Sequence, residues 1–462
     1  MKKIRQEVND FILRGTDSHL RLAVTGLSRA GKTAFITSLV NQLLFTATHD
    51  QLPLFTAARD KKVIGAKRVP QTNMLVPRFA YDEALSALHS SPAHWPEPTR
   101  DVSEIRLAIR YKPQKGAKSL LSNVATLYLD IVDYPGEWLL DLPLLDMNYR
   151  EWSQSQFQCL KGKRKQFARQ WLERVAGLDP FADADEKHLA DLSAMYTSYL
   201  HQCKEEGLHW VQPGRFVLPG ELEGAPVLQF FPLSFTGREE ALQKAGKHSV
   251  YGMLKARYEE YQQKVVKTFY RQYFSTFDRQ IVLVDCLQPL NAGHESFHDM
   301  KNALEQIMKS FRYGRNSLLK RVFAPRIDKV LFAATKADHI TPEQHSALVS
   351  LLQQMVHPAW QNAAFEGIEM HCISMASVRS TTTGFVTSGS QSVPAIQGVT
   401  LSGEAITLFP GDVPGKLPDA GFWQEKGFEF ISFRPMPAET DTPLPHLRMD
   451  KALQYLIGDK LK

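Results

Sequence analysis

Leu20 to Leu39 reads LRLAVTGLSRAGKTAFITSL, and within it Gly26-Leu-Ser-Arg-Ala-Gly31-Lys32-Thr33 is a complete G-x-x-x-x-G-K-T loop. Its flanks carry as much weight as its letters. Leu20, Leu22 and Val24 form an apolar, strand-like run before the first glycine. Phe35, Ile36, Leu39, Val40, Leu43 and Leu44 then follow at helical spacing. A strand, a glycine-rich turn and a helix N-terminus together aim several backbone N–H groups at one anion. Gly26 and Gly31 permit backbone angles and a closeness of approach that a side chain would block. The candidate cradle is therefore Gly26, Ser28, Arg29, Ala30, Gly31, Lys32, Thr33 and Ala34. In it Lys32 would reach the β- and γ-phosphates of a nucleoside triphosphate, and the Thr33 hydroxyl would ligate Mg²⁺.

The chain has 462 residues, enough for two or three domains or for one domain with large insertions. Its 43% hydrophobic and 23% charged residues are ordinary for a soluble globular protein. A net charge of +6 is mildly basic and dispersed, and gives no direct nucleic-acid signal. Cys159, Cys203, Cys286 and Cys372 match no metal-ligand spacing and read as reduced thiols of a cytoplasmic protein. No apolar run approaches the roughly 18–20 residues of a membrane span. At the N-terminus Lys2, Lys3 and Arg5 accompany Ile4, Val8, Phe11 and Ile12 at helical spacing, without a signal-peptide core or cleavage site. That helix either docks on the protein's own core or makes a peripheral membrane contact.

Further along, Glu104–Tyr111 alternates apolar and charged residues as an edge strand does, and Ala125–Asp133 is apolar at nearly every position, as a buried strand is. The second ends Asp133-Tyr-Pro-Gly136-Glu137, a D-x-x-G sequence. An aspartate there holds Mg²⁺ through water, and the glycine N–H senses a γ-phosphate. Gln280–Asp285, Lys329–Ala334 and Ile368–Ile373 predict three more strands. After the fourth strand of the series comes Thr335-Lys336-Ala337-Asp338, and after the fifth Ser374-Met375-Ala376-Ser377. A carboxylate at Asp338 would accept from guanine N1–H and the 2-amino group, with the Lys336 stem against the base. The Ala376 N–H would meet O6, an atom adenine lacks. Such a site rejects the wrong base because its own polar groups would be left unpaired.

These pieces resemble the translation-factor-related P-loop GTPases. TGLSRAGKTAFITSLVNQLL, DIVDYPGEWLLDLPLL and TKADH together resemble the YcjX-like family of bacterial stress-associated P-loop proteins, over nearly the whole chain. The resemblance implies phosphate and Mg²⁺ binding by Gly26 to Thr33, a second switch at Asp133 and Gly136, and a guanine site at Lys336, Asp338 and Ala376. Two residues depart from the GTPase pattern. Thr335 stands where Asn is commoner, and Glu137 where many GTPases keep a water-orienting glutamine. A glutamate adds negative charge near the γ-phosphate, so slow hydrolysis is expected. The first switch falls at Trp95–Asp101, where Thr99 would complete the Mg²⁺ shell and Arg100 would act as an internal arginine finger. Thr72 is the alternative threonine.

The expected architecture is α/β: a P-loop GTPase-like sheet, mostly parallel with one antiparallel edge strand, flanked by helices. Residues 1–148 open the core and 149–277 form a helical insertion after the second switch. Residues 278–379 resume the core, 380–435 form a small β-rich appendage, and 436–462 close the core with a helix. Within the insertion Tyr149–Gly177, Lys187–Glu206 and Glu239–Phe274 predict helices, and Lys161, Lys163, Arg164, Lys165 and Arg169 predict a basic solvated face. His294-Glu295-Ser-Phe-His298 matches H-E-x-x-H, but it opens a surface helix with no third ligand in view, which argues against zinc. The function expected is a Mg²⁺-dependent switch that hydrolyses GTP to GDP and moves a protein effector through the insertion. A P-loop ATPase and a nucleotide-stabilised scaffold are the alternatives.

Overall fold

The computed structural model describes residues 17–98, 100–114, 123–235, 237, 242, 244–310, 327–365, 367–388, 391–425, 428 and 430–462. The N-terminal helix read over residues 2–12 lies outside the described residues. The chain divides into two compact units, Met1–Pro135 with Phe277–Asn291 and Arg326–Lys462, and Gly136–Thr276 with Ala292–Pro325.

In the first unit seven strands form one sheet: β1 (Ser18–Gly26), β2 (Val63–Val69), β3 (Ser103–Tyr111), β4 (Ala125–Asp133), β5 (Arg279–Val284), β6 (Lys329–Ala334) and β7 (Glu369–Ser374). They lie in the order β2-β3-β4-β1-β5-β6-β7. From β4 to β7 every neighbouring pair is parallel. Register brings their carboxyl ends to one edge, with Val24 opposite Asp133, Gly26 opposite Leu283 and Ala334 opposite Ser374. This is the edge where ligands bind in open α/β sheets.

The helix Lys32–Phe45 supplies the core over β1. Phe35, Ile36, Leu39, Val40 and Leu43 are wholly buried with Leu22, Leu107, Leu127, Leu129 and Ile131. Met449, Ala452, Leu453, Leu456 and Ile457 of the C-terminal helix Met449–Ile457 complete the cluster. Each such side chain larger than Ala452 contributes on the order of 1.5–3 kcal/mol by leaving water. Two polar residues of the first helix, Asn41 and Gln42, are buried too and are satisfied at long range: Asn41 Oδ1 accepts from Leu444 N at 2.8 Å, and Gln42 Nε2 donates to Leu444 O at 2.7 Å.

One expectation about the sheet is corrected. β3 is not its edge, because β2 pairs antiparallel outside it; β3 alone runs against the other strands, and β2, antiparallel to it, is the edge. Glu104 and Arg106 of β3 are buried in ion pairs: Arg21 lies 3.4 Å from Glu104, and Arg106 lies 3.4 Å from Asp130 with its guanidinium over the Tyr128 ring. An alternation that reads as solvent contact is here an internal charge ladder. A separate three-stranded antiparallel sheet follows, β8 (Thr381–Ser388), β9 (Gln391–Val399) and β10 (Ala405–Leu408).

The second unit begins at Gly136, earlier than the 149 read from sequence. The 3₁₀ helix Gly136–Asp146 buries Trp138, Leu139, Leu140, Leu142 and Leu144 within it. Around them stands an aromatic core that includes Tyr149, Trp152, Tyr196, Phe230, Tyr258 and Tyr261, with Trp152 stacked on Tyr258 at 5.2 Å between centroids. The helix expected over Tyr149–Gly177 is three, Tyr149–Gln158, Gly162–Phe167 and Arg169–Ala176. In the Glu239–Phe274 stretch the helices Val250–Glu260 and Lys267–Gln272 are joined by a π-helical turn, Tyr261–Val266. The expected basic face is also corrected at one residue. Arg164 is buried and donates through Nε and Nη2 to Asp299 Oδ1 at 3.1 and 2.6 Å, and through Nη2 to Trp210 O.

The 3₁₀ helix is fastened at Asp141. Its Oδ2 accepts from the Tyr261 hydroxyl at 2.5 Å and from Arg215 N at 3.3 Å, and its Oδ1 from Gly214 N at 2.8 Å. Burial pushes this carboxyl up to about 6, against those donors, which favour the anion. A raised acid contributes stability that is full below its unfolded value near 3.8 and is lost as pH rises through about 6. A rise of this size is worth about 3 kcal/mol. Melting wild type and Asp141→Asn side by side between about pH 4.5 and 7.5 is therefore expected to show the wild type gaining on the variant as pH falls. Parallel pH profiles would show that Asp141 carries no such linkage.

Candidate functional site

The phosphate loop spans the turn from β1 to the first helix. Its two glycines do different work. A Cβ on Gly26 would lie 2.7 Å from Leu283 O and 2.8 Å from Leu283 Cβ, so that glycine lets β1 lie close against β5. A Cβ on Gly31 would meet nothing within 4 Å, but the residue has φ +83°, where L side chains are strained. Arg29 also holds a left-handed angle, φ 62°, and its side chain is exposed. Ala30 N closes a turn onto Leu27 O at 3.1 Å, and the first helical bond runs from Phe35 N to Gly31 O at 2.9 Å. The N–H groups of Lys32, Thr33 and Ala34 precede that bond in the first helical turn, where a helix has no internal acceptor to offer. The helix has no side-chain cap and no acid in its first turn, so its positive end stays open to an anion. Ser28, Lys32 and Thr33 are half-buried or exposed, Ala30 and Ala34 are buried, and Lys32 makes no ion pair among the described residues.

Asp133 ends β4 one strand over, buried, opposite Val24 and two residues upstream of the loop's first glycine. Tyr134 N donates to Val24 O at 3.3 Å and holds that end in register. Thr33 and Asp133 thus stand at one edge of the sheet. A hydroxyl and a carboxylate are hard oxygen donors, and Mg²⁺ is commonly held by one or two protein oxygens with phosphates and water completing the shell. No group of three His, Cys, Asp or Glu side chains gathers among the described residues. In the H-E-x-x-H stretch, Glu295 Oε1 accepts from Lys163 N at 2.8 Å and holds the start of a neighbouring helix.

Thr99 lies outside the described residues. Arg100 beside it is exposed, and so are Thr72 and Met74. The loop around Thr72 is organised from within, with Gln71 Nε2 donating to Asn73 O and Val76 O. Gly136 and Glu137 belong to the second unit. Glu137 is buried there with Oε1 2.8 Å from Lys204 Nζ, and a Cβ on Gly214 would overlap its carbonyl. Its charge is therefore neutralised by a lysine from the helix Glu186–Glu205, a partner the sequence did not reveal.

At the other end of the same edge, Thr335 is buried with its N–H on Val284 O at 2.9 Å. Lys336 adopts φ 57° and stretches from the end of β6 to the end of β5, placing Nζ 2.5 Å from Asp285 Oδ2. Burial opposes the Asp285 charge, but the Lys336 ammonium and the Gln288 N–H hold this carboxyl below its ordinary value. Asp338 Oδ2 accepts from Ser380 N at 2.6 Å and Ser380 Oγ at 2.8 Å, while Oδ1 accepts nothing among the described residues. Ala337 N donates to Met375 O at 3.1 Å and ties this loop to the one after β7. The expectation for Ala376 is corrected. Its N–H donates to Leu447 O at 3.0 Å and Leu447 N returns a bond to Ala376 O at 2.9 Å, so this amide is already engaged. Ser374 Oγ accepts from Arg448 Nη1 at 2.5 Å, and Met375 is wholly buried.

Three residues here escaped the sequence reading. Asp285 carried a usable signal, a carboxylate ending an apolar strand, the same signal that marked Asp133. Ser380 and Arg448 carried none, since a serine six residues past β7 and an arginine before the last helix are unremarkable until the fold closes.

Sheet order, the open helix N-terminus and the strand-end carboxylates define a P-loop GTPase-like α/β fold. Residues 20–461 match the model of the YcjX-like family, DUF463, and the chain belongs to that family. It is 54% identical to the Ras-like GTPase YcjX of Escherichia coli (strain K12), over all of both chains. It is 47% identical to the Ras-like GTPase YcjX of Shewanella oneidensis, over all of this chain and 99% of that one.

Proposed function

We propose that this protein is a Mg²⁺-dependent GTPase that hydrolyses GTP to GDP and phosphate and acts as a nucleotide-state switch. The observation that carries the reading is Asp338. Ser380 pins one carboxylate oxygen and leaves the other to accept from guanine, at the sheet edge that also bears the open phosphate loop. Relatives named as Ras-like GTPases support the same nucleotide.

In this reading the loop amides and Lys32 hold the β- and γ-phosphates, with the Lys336 stem along the base. Thr33, and Asp133 through water, would hold Mg²⁺, which would supply charge neutralisation on the phosphates. Water attacks the γ-phosphorus, the bond to the β–γ bridging oxygen breaks with its electron pair leaving on GDP, and the water proton passes to the released phosphate. Thr99 and Gly136 sense the γ-phosphate, and Arg100 stabilises the transferring charge. Glu137, paired with Lys204, orients water only after that pair opens, which makes hydrolysis slow. The same pair favours a second reading, a nucleotide-stabilised scaffold that turns over little GTP. The 3₁₀ helix beginning at Gly136 carries nucleotide state along the chain into the helical unit, which engages a protein effector. The family likeness suggests a bacterial stress response. No helix among the described residues is long and apolar enough to cross a membrane, in keeping with a cytoplasmic protein that touches the inner membrane peripherally.

Calorimetric titration with GTP, GDP and ATP in Mg²⁺, followed by phosphate release, tests the reading. ATP is expected to bind at least on the order of 10³-fold more weakly than GTP, as a hydrogen-bonded base site requires. Comparable ATP affinity would sink the guanine assignment. Tight GTP binding without phosphate release would establish the scaffold instead.

A further inference from the structure

Guanine differs from adenine at two edges: N1–H with the 2-amino group, which donate, and O6, which accepts. Asp338 answers the first. The second needs a donor, and the Ala376 amide expected to supply it is bonded to Leu447 O in a two-bond antiparallel bridge. The next residue along that bridging segment is Arg448. It caps the C-terminal helix from a left-handed backbone, φ 59° and ψ 23°, a conformation L residues seldom adopt without a reason. That geometry sends its guanidinium to the end of β7, where Nη1 donates to Ser374 Oγ at 2.5 Å. Ser374 lies opposite Ala334, the last residue before Thr335-Lys336-Ala337-Asp338. Arg448 is half-buried and pairs with no carboxylate among the described residues. A guanidinium has five donors, and the Ser374 bond uses one of them.

A second contact places it beside the base loop. His345 Nε2 lies 2.8 Å from Ala337 O, inside that loop. Burial chiefly, and then the nearby Arg448 charge, hold this histidine below its ordinary value, while Asp338 pulls the other way. Arg448 and Asp338 therefore both act on one side chain at the loop.

We propose that Arg448, rather than the Ala376 amide, donates to O6 of the guanine and is a specificity-determining residue of this site; the inference rests on the guanine reading above. The pair divides the base between them: Asp338 reads the donors, Arg448 reads the acceptor, and Ser380 and Ser374 hold the two in place.

Base analogues separate the roles. GDP and inosine diphosphate both carry O6, whereas 2,6-diaminopurine riboside diphosphate carries the 2-amino group and lacks O6. Arg448→Ala is expected to weaken GDP and inosine diphosphate by about 10- to 100-fold, the range for losing a charged hydrogen bond, and to leave the diaminopurine nucleotide nearly unchanged. Arg448→Lys restores part of the loss. Asp338→Ala weakens GDP more than inosine diphosphate. Calorimetry gives the affinities, and melting without nucleotide checks that each variant folds. Equal weakening of all three nucleotides by Arg448→Ala would show a structural anchor and overturn the proposal, as would no change in any. A wild type that binds ADP as well as GDP would remove the guanine reading and this proposal together, an outcome distinct from failure of Arg448 alone.

Discussion

Replacing Lys32 with alanine is expected to weaken GTP binding by on the order of 100-fold or more while leaving the nucleotide-free protein folded. The size follows from what the ammonium would do. A charge-assisted bond to phosphate is worth about 1.5–3 kcal/mol, and Lys32 would meet two phosphates beside a helix end that already favours anions. The selectivity follows from its surroundings: Lys32 makes no ion pair among the described residues, so its removal orphans no counter-charge. Melting should separate the two effects. Without nucleotide, wild type and variant melt together. With saturating GTP the wild type rises by the binding linkage and the variant barely moves. Gly31→Ala makes a useful contrast. Its added Cβ meets no atom, but φ +83° is strained for alanine, costing about 1–2 kcal/mol of the loop's own conformation. A Lys32→Ala protein that binds GTP with wild-type affinity would show that this loop does not hold the triphosphate.

The parts of this protein legible in its sequence are those written locally. The turn from Gly26 to Thr33 is a single contiguous stretch, and its strand and helix declare themselves by period. Asp133, Thr335 and Asp338 stand at the ends of apolar runs, so the fold carries them to one edge without further information. What the sequence hid depends on who meets whom across long separations. Glu104 and Arg106 give β3 the alternation of an edge strand, and only Arg21, Asp130 and the outer strand β2 turn it inward. Ala376 sits where a base-reading amide is expected, until Leu447, from beyond the β-rich segment, takes its hydrogen. Glu137 reads as a lone acid beside the switch, and Lys204 reaches it from a helix far along the chain. Period and motif report a residue's own element. They say nothing of partners that arrive through an insertion.

Arg164 is the sharpest instance, and its replacement by alanine should be among the most destabilising single changes in the second unit. Read in sequence, it is one of five basic residues on a solvated face, and losing one such charge would cost under about 0.5 kcal/mol. In the structure it is buried, and Asp299, 135 positions on, is its counter-ion. Asp299 Oδ2 also accepts from Trp210 N at 2.9 Å and His209 N at 2.5 Å, and Arg164 reaches Trp210 O at 2.7 Å, so the pair fastens three separate segments. Removing the guanidinium leaves the carboxylate buried with backbone donors alone, and breaking a buried pair from one side costs about 3–5 kcal/mol. Arg164→Met combined with Asp299→Leu should recover only part of that loss, because it removes the unpaired buried charge but leaves the His209 and Trp210 N–H groups and Trp210 O without these partners. Lys165→Ala, at an exposed neighbour, is the control and should stay within about 0.5 kcal/mol. Denaturant unfolding of the whole chain, with hydrogen exchange assigning each transition to its unit, reads all three. If Arg164→Ala behaves like Lys165→Ala, the buried pair does not hold this unit together, and the solvated basic face read from the sequence stands.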